Sequence, residues 1–377
     1  MRHNRQSTQR RSAADHSRPI QLVATLTFAI PVPAGFSLGP TVVYGYVVAS
    51  LSPLQRRPNM NDDLQRAEDS LRAAAVTDDA FLTEVASHLI PAGGKRLRPA
   101  FVIAAALAER TDGDAPDAVT EAMVQGGVAV ELVHLGSLYH DDVMDDAETR
   151  RGVETVNNRW GNLKAILAGD FLLAKASELA AGLGTEVAEL LAATIGRLCE
   201  GQVRELQLIY DASRTEPQYL EAIRGKTAEL YATSCRIGSL VAGHDRVLVD
   251  RLTEYGLLYG MAFQIVDDVL DLTATDEQLG KPAGNDIREG VYTLPVIRNL
   301  VDAPSGPLSD LLGEVLSEED RDKAKALVID SPHIKTSVAT ARDYVDRALQ
   351  ALEGLDATPA VIGMRAAADN LLTSLPN

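Results

Sequence analysis

Cysteine, aromatic residues and positive charge are all scarce in this sequence. Two cysteines, Cys199 and Cys235, provide neither a disulfide framework nor a zinc site, and they favour a reducing compartment. Aromatic residues make up 5% of the chain, which leaves little material for base-stacking platforms or aromatic cages. A net charge of −17 argues against nucleic acid as a partner, because neutralising phosphates requires a surplus of lysine and arginine.

No uninterrupted apolar run is long enough for a transmembrane helix. The chain carries no charge between Pro19 and Pro53, but prolines and glycines break that stretch into pieces shorter than the ~20 residues that span a bilayer. The segment before Met60 has a charge of +6, so the remainder carries −23. Because an acidic helical pattern opens at Met60, we interpret residues 1–59 as a leader, either disordered or read from a misplaced start codon. A membrane anchor is the weaker alternative.

Helical periodicity dominates the sequence after Met60. Apolar residues recur at spacings of three and four, for example over residues 122–144 and 253–272, and no run of alternating strands is visible. Residues 163–183 are apolar nearly all round, as in helices at the centre of a large bundle. The sequence predicts one all-α domain over residues 60–377, a single bundle of ten or more helices.

Two short acidic motifs share the spacing DDxxD, one at residues 141–145 and the other at 267–271. On a helix, the first and last aspartates of each motif lie about 40° apart in projection and share a face. Each motif follows an apolar stretch, where clustered carboxylates are stable only if cations compensate them. Oxygen donors without histidine or cysteine suit Mg²⁺, which binds through carboxylates and substrate phosphates. Solvated acidic helix ends are the weaker interpretation.

Positive side chains are concentrated around these motifs. They lie in the turn GGKRLRP (residues 93–99) and at Arg150, Arg151, Lys226 and Lys281. Arginine grips phosphate with two hydrogen bonds and lysine acts as a point charge, so the set predicts a polyphosphate site. We interpret it as two anion sites, one bridged by metal and one purely cationic, with Arg96 as a surface cation.

Four segments together resemble the trans-isoprenyl diphosphate synthases, the polyprenyl synthetase family. They are GGKRLRP (93–99), ELVHLGSLYHDDVMDDAETRRG (131–152), GKTAEL (225–230) and FQIVDDVLDLTATDEQLGKPAGNDIREGVYTLP (263–295). The resemblance covers residues 60–377. It implies an isoprenoid-synthase bundle around a central apolar cavity, and the Mg²⁺-dependent condensation of isopentenyl diphosphate with an allylic diphosphate.

The resemblance also implies a role for each matching residue. Mg²⁺, three ions per active site bound with substrate diphosphate, would be held by Asp141, Asp145, Asp267, Asp268 and Asp271. The allylic diphosphate would be contacted by Arg150, Lys226, Gln264 and Lys281. Isopentenyl diphosphate would be bound without metal by Lys95, Arg98, His134 and Arg151. Thr227 would stabilise the allylic cation or position its phosphate. The metals would offset the charge of the leaving pyrophosphate, and the alkene of isopentenyl diphosphate would attack the cation.

Product length is predicted from Gly136 and Ser137, about one turn before the first motif. By resemblance, these residues line the floor into which the growing chain extends, and here both are small. We therefore favour a medium- to long-chain product, roughly C30 to C50, as in quinone side chains. If Leu138 or Tyr139 swings into the channel, a short-chain farnesyl or geranylgeranyl diphosphate synthase becomes the better interpretation.

Two alternatives come from other classes. A terpene cyclase also uses DDxxD with Mg²⁺, but its second metal motif usually mixes Asn, Ser or Thr with Glu, and its cavity needs aromatic residues. A non-catalytic subunit of a heteromeric synthase would normally have degraded aspartates. The two intact motifs favour a self-sufficient catalytic homodimer. As separate expectations, we place the enzyme in the cytoplasm or at the membrane periphery, with its lipid product passed to a membrane enzyme.

Overall fold

The computed structural model describes residues 53–109, 118–276, 282–373 and 375. A 3₁₀-helix at Pro53–Arg56 precedes the α-helices. These are α1 (Met60–Ala74), α2 (Ala80–Ser87), α3 (Leu97–Ala106), α4 (Glu121–Met144), α5 (Val156–Trp160), α6 (Asn162–Gly182), α7 (Thr185–Leu206), α8 (Glu216–Ile223), α9 (Glu229–Val241), α10 (Arg246–Thr273), α11 (Asn285–Arg288), α12 (Leu294–Asp302), α13 (Glu318–Ile329), α14 (His333–Ala351) and α15 (Pro359–Leu372). The all-α prediction is confirmed.

Two interruptions of the helical pattern matter for the site. A π-helical segment, Arg224–Ala228, joins α8 to α9. Two short antiparallel strands, β1 (Thr149–Arg150) and β2 (Val153–Glu154), form a hairpin after α4. The sequence analysis predicted neither of them.

Polar side chains fix where the helices begin. The hydroxyl of Thr120 accepts a hydrogen bond from the backbone N–H of Met123 and starts α4, and the carboxylate of Asp245 accepts one from Leu248 and starts α10. Such caps satisfy amide groups that the first turn of a helix leaves without partners. Both helices that carry an acidic motif therefore have a defined first turn.

Helix α4 is the central element of the bundle, because it packs against α1, α3, α6 and α9. Its residues from Val124 to Tyr139 are almost all buried. The approach to α6 is close: a Cβ atom placed on Gly136 would lie 3.0 Å from the carbonyl oxygen of Gly169. Burial on every face explains why the apolar residues of α4 show little one-sidedness in the sequence.

Most of the larger aromatic side chains in the middle of the bundle form one cluster. Phe101 of α3, Tyr231 of α9, and Tyr255, Tyr259 and Phe263 of α10 have neighbouring ring centroids 4.6 to 6.3 Å apart. Edge and offset contacts of this kind favour ring pairs beyond the area they bury. The cluster joins α10, which carries the second acidic motif, to α3, which begins within the GGKRLRP turn.

Leu54 and Arg57, which lie before the boundary that we expected at Met60, are both buried. Leu54 is 1% exposed and belongs to the hydrophobic core, and Arg57 forms a buried ion pair with Asp63 of α1. The remainder of the predicted leader, residues 1–52, lies outside the described residues, and its interpretation stays a prediction. None of the helices that the structure describes combines the length and the hydropathy needed to cross a membrane.

Candidate active site

The first acidic motif closes helix α4. Asp141 and Asp142 lie in its last turn, and Asp145 is the C-cap residue, whose backbone N–H donates to the carbonyl of Asp141. The carbonyl end of a helix carries partial negative charge, so carboxylates there are unfavourable without nearby cations. Burial raises the pKa of all three carboxyl groups, and the charges of Lys226 and Arg150 offset only part of this upward shift at Asp141 and Asp145.

Asp142 differs from its two neighbours. It is 1% exposed, and its Oδ1 atom accepts a hydrogen bond of 2.5 Å from Nε of Arg150. Its Oδ2 atom is buried and has no hydrogen-bond partner among the described residues. Asp142 therefore orients Arg150, while Asp141 and Asp145 are left to face the site.

The second motif lies in the last turns of α10. Asp267 is half-buried, whereas Asp268 and Asp271 are 4% and 3% exposed. Asp268 accepts hydrogen bonds on both oxygens, from Nε2 of Gln264 at 2.8 Å and from the hydroxyl of Tyr219 at 2.6 Å. Burial raises the pKa of Asp268, and these two hydrogen bonds act in the opposite direction.

The π-helical segment lies between the two motifs. Nζ of Lys226 contacts Oε1 of Glu205 on α7 at 2.5 Å. Burial lowers the pKa of Lys226, but Glu205 and then Asp141 raise it, and the net shift is upward. The hydroxyl of Thr227 donates to Oε1 of Gln264 at 2.7 Å, which links the segment to the second motif through the Gln264–Asp268 hydrogen bond.

A close crossing with α7 accompanies the π-helical geometry. Gly225 packs on Gly201, and a Cβ atom on Gly225 would lie 2.8 Å from the carbonyl oxygen of Arg197. A side chain at either glycine would push the segment away from α7. π-Helical turns inside α-helices are frequent at functional sites, and here the turn carries Lys226 and Thr227.

The β-hairpin places two consecutive arginines. Its turn residues Arg151 and Gly152 both have positive φ angles, 52° and 76°, which is the geometry of a type I′ turn. Arg150 points to Asp142, as described above, and the guanidinium of Arg151 donates to the carbonyl of Gly93. A Cβ atom on Gly94 would lie 2.8 Å from Arg151, so the glycine turn is needed for this approach.

The GGKRLRP turn brings Arg98 and Arg151 together. The Arg98 guanidinium lies 4.8 Å from the ring centroid of Tyr231, and its Nε atom has no hydrogen-bond partner among the described residues. Lys95 is exposed on the same turn. A stacked guanidinium with unused donors, close to a second arginine, is suited to binding an anion.

Arg96 is not the surface cation that we expected. Its side chain is 9% exposed, and it contacts Glu68 of α1 at 2.8 Å and Glu131 of α4 at 2.9 Å. The third contact is a 3.0 Å hydrogen bond to the carbonyl of Ile90. The Arg96 side chain is therefore largely buried, and it forms two ion pairs and a backbone hydrogen bond.

His134 lies on α4 among these arginines. Burial holds the pKa of His134 well below its ordinary value, and the positive charges of four arginines lower it further. The four are Arg98, Arg151, Arg150 and Arg96. The ring is therefore neutral at neutral pH, so that it can both donate and accept a hydrogen bond. The structure thus gathers the predicted metal-free binding residues, with Lys95 exposed at their edge.

Gly136 and Ser137 have structural partners as well. Gly136 is buried at the α4–α6 crossing, and the Ser137 hydroxyl donates to the carbonyl of His134 at 2.8 Å. A small residue at position 136 is thus required by helix packing, independently of any channel. Lys281, predicted to contact the allylic diphosphate, lies outside the described residues.

Sequence reasoning missed several residues that shape this site. Glu205 pairs with Lys226, and Tyr219 donates to Asp268 from 49 positions earlier in the chain. Arg214 is buried with its guanidinium 5.5 Å from the Tyr219 ring, and it donates to the carbonyl of Tyr292. No local sequence motif marks these residues, because each of them contacts a partner from a distant part of the chain.

The donor set of the two motifs fits a hard cation. It consists of carboxylate oxygens, and among the described residues no three His, Cys, Asp or Glu side chains converge closely enough to hold an ion alone. Mg²⁺ commonly completes such partial sets with water and substrate phosphate oxygens. The residues present therefore fit Mg²⁺ that is shared with a diphosphate.

The low pKa of His134 has a measurable effect on stability. Because the unfolded chain takes up a proton near the ordinary histidine pKa and the folded chain does not, the folded state loses stability as pH falls through about 6.5. We predict that His134→Gln removes this dependence, which amounts to at most about 1.4 kcal/mol per pH unit. Urea unfolding of both proteins at pH 7.5, 6.5 and 5.5 measures it, and parallel profiles would contradict the assignment.

The chain is similar to known proteins over most of its length. A family model described as polyprenyl synthetase matches residues 79–329. Heptaprenyl diphosphate synthase component 2 of Geobacillus stearothermophilus is 41% identical over 306 residues, covering 78% of this chain and 91% of that protein. The nonaprenyl diphosphate synthase of Mycobacterium tuberculosis is 37% identical over 341 residues, covering 89% and 95%.

Solved structures give the same result for the fold. A polyprenyl synthase from Caulobacter crescentus, complexed with calcium and isoprenyl diphosphate, matches with a TM-score of 0.78 and 34% identity. The match covers 86% of this chain and 98% of that one. With a family model over most of the bundle and relatives that align along almost their whole length, the chain belongs to the polyprenyl synthetase family and is a prenyltransferase of the trans-prenyl diphosphate synthase type.

Proposed function

We propose that the two aspartate motifs and the π-helical segment form one site for an allylic diphosphate. The observation that carries the proposal is the placement of Lys226 and Thr227. The charge of Lys226 acts on Asp141 and Asp145, while Thr227 is hydrogen-bonded through Gln264 to Asp268. One short segment therefore acts on both acidic clusters, on the first through the charge of Lys226 and on the second through Gln264. A diphosphate held between the clusters would lie beside the Lys226 ammonium group.

The chain's own residues prepare the substrate for ionisation. Asp141, Asp145 and Asp267 are the carboxylates that would hold Mg²⁺, three ions per active site with Asp268 and Asp271, and the ions would supply Lewis-acid stabilisation of the leaving pyrophosphate. Lys226 exchanges its contact with Glu205 for a phosphate oxygen. Arg150, held by Asp142, grips the same diphosphate. Departure of pyrophosphate then leaves an allylic cation, whose charge the retained pyrophosphate and Thr227 stabilise.

Isopentenyl diphosphate occupies the adjacent cationic cluster. Arg98, Arg151 and the neutral ring of His134 bind its diphosphate without metal, and Lys95 adds a charge from the exposed edge. Its alkene attacks the allylic cation, a new carbon–carbon bond forms, and a proton passes to the departing pyrophosphate. Because both substrates are bound side by side, the carbon–carbon bond forms between two already oriented molecules and needs no chance encounter in solution.

Removal of one metal-facing carboxylate tests the site. We predict that Asp141→Asn or Asp267→Asn leaves the helical circular dichroism unchanged and lowers turnover by about 10²- to 10³-fold or more, through loss of metal-assisted ionisation. Elongation of labelled isopentenyl diphosphate on a farnesyl primer is the assay. Asp146→Asn is the matched control, because Asp146 is an exposed acid beside the motif. Near-normal turnover in either site variant would remove the proposal.

For product length we propose a medium- to long-chain polyprenyl diphosphate, roughly C30 to C50. Support comes from the small residues Gly136 and Ser137 and from relatives whose names specify heptaprenyl and nonaprenyl products. A chain of this length strongly favours an apolar environment, which supports transfer of the product to a membrane enzyme.

Ser137 is the better position for a test, because a larger residue at Gly136 would collide with α6. We predict that Ser137→Phe shortens the longest product by several isoprene units, whereas Ser137→Ala leaves the product ladder unchanged. Dephosphorylated products are sized by chromatography after incubation with primers of increasing length. An unchanged ladder for Ser137→Phe would show that the growing chain passes elsewhere.

We further propose that the enzyme is a homodimer that associates through α6 and α7. These helices follow one another through Leu183 and Gly184 and pack against each other. Near the start of α6, Leu163 and Leu167 are 79% and 63% exposed, and near the end of α7, Val203 and Leu206 are 50% and 43% exposed. Exposed apolar side chains on neighbouring helices are typical of an oligomer interface.

A charge on this surface tests the dimer. We predict that Leu167→Glu converts the protein to a monomer, because an unpaired carboxylate would be buried at the interface. Light scattering coupled to size exclusion gives the mass. Val301→Glu is the matched control, since Val301 is 72% exposed on α12, which packs against α8, α10, α13 and α14. A dimer that persists in Leu167→Glu places the interface on another face.

The name of one relative favours a second arrangement. Heptaprenyl diphosphate synthase component 2 of Geobacillus stearothermophilus is named as one component of a synthase. A chain of the same kind could require a separate partner for elongation. Turnover by the purified chain alone decides between the two: elongation without addition supports the self-sufficient homodimer, and activity only after addition of cell extract supports a partner subunit.

A further inference from the structure

Arg96 lies between two residues of the metal-free subsite, Lys95 and Arg98, but its guanidinium is bound by other parts of the protein. Its Nε atom contacts Glu68 at 2.8 Å, one terminal nitrogen contacts Glu131 at 2.9 Å, and the other donates to the carbonyl of Ile90 at 3.0 Å. Each of the three guanidinium nitrogens therefore has a partner within the protein, and two of these partners are carboxylates.

The backbone at Arg96 is unusual. Its φ angle of 46° lies in the left-handed region, where a residue with a Cβ atom persists only if its surroundings hold it. The preceding Gly93 and Gly94 also have positive φ angles, so the whole turn departs from ordinary backbone geometry. The contacts of the Arg96 side chain provide the missing constraint.

The two carboxylates come from elements outside the turn. Glu68 belongs to α1 and Glu131 to α4, one turn before His134. Glu131 is 3% exposed, and its charge also favours the protonated form of Arg151. Gln55 of the 3₁₀-helix donates to the carbonyl of Lys95 at 3.3 Å, a second link between the turn and the amino-terminal elements.

We propose that Arg96 is a positioning residue for isopentenyl diphosphate: clamped by Glu68 and Glu131, it fixes the turn so that Lys95 and Arg98 face His134 and Arg151. The inference rests on the proposed assignment of that cluster to isopentenyl diphosphate. It gives helix α1, which carries no predicted site residue, a part in substrate binding through Glu68.

The test is Arg96→Met, which keeps an unbranched side chain and removes the three polar contacts. We expect the KM for isopentenyl diphosphate to rise about tenfold or more, because small misplacement of binding groups has effects of that size. The KM for the allylic primer and kcat should stay within about twofold. Calorimetric titration of isopentenyl diphosphate in EDTA should show the same loss of affinity without metal or turnover.

Arg72→Met is the matched control. Arg72 contacts the other oxygen of the same Glu68 carboxylate at 3.1 Å, but it lies on the exposed face of α1. The two variants therefore change the net charge equally and remove one partner of Glu68 each. Only Arg96→Met should affect the KM for isopentenyl diphosphate, and equal effects of the two would overturn the proposal.

A second variant separates positioning from stability. Arg96→Met leaves Glu131 buried without its partner, which lowers the melting temperature. The double variant Arg96→Met/Glu131→Gln removes that buried charge, so we expect its melting temperature to recover while the KM for isopentenyl diphosphate stays raised. A KM that recovers together with the melting temperature would reduce Arg96 to a structural role.

Binding of isopentenyl diphosphate in EDTA distinguishes the assignment of the cationic cluster from the role of Arg96. If the wild-type enzyme binds no isopentenyl diphosphate in EDTA, the proposed assignment of the cationic cluster fails. If the wild type binds it and Arg96→Met binds it equally well, the assignment survives and the role of Arg96 is lost.

Discussion

Repulsion among carboxylates at the ends of two helices of the bundle is the constraint on which this structure depends. Helix α4 and helix α10 each end in a DDxxD motif whose acids are partly or wholly removed from water. The protein compensates this charge with groups drawn from many elements, namely Arg150 from the hairpin, Lys226 from the π-helical segment and Tyr219 from α8. The fold around the site is largely the arrangement that brings these groups to the two motifs.

The parts of the site that follow from local spacing could be predicted from the sequence. The acids of each motif share a helix face because of the helical repeat, and the three- and four-residue apolar spacing gives the all-α fold. Long-range partners could not be predicted. Arg96 contacts carboxylates 28 and 35 residues away, so the sequence gives no sign that it differs from the arginine two positions later.

The π-helical turn and the close approaches between helices could not be predicted from the sequence either. The π-helical turn accompanies the crossing of Gly225 over Gly201, and this contact between distant glycines has no helical periodicity. Gly136 shows the opposite difficulty, since a single small residue satisfies two requirements. It permits the close approach of α4 to α6, and it lies where a growing chain is proposed to pass. Its size alone therefore does not separate packing from product length.

The hairpin after α4 has a consequence for the spacing of the two substrates. Arg150 turns toward Asp142 and the first acidic motif, whereas Arg151 turns toward Gly93 and the cationic cluster. One peptide bond therefore separates the two arginines that we propose for two different diphosphates, so the tight turn limits how far apart those diphosphates can lie. A single inserted residue in this hairpin would shift the register of its strands and move the two arginines relative to each other.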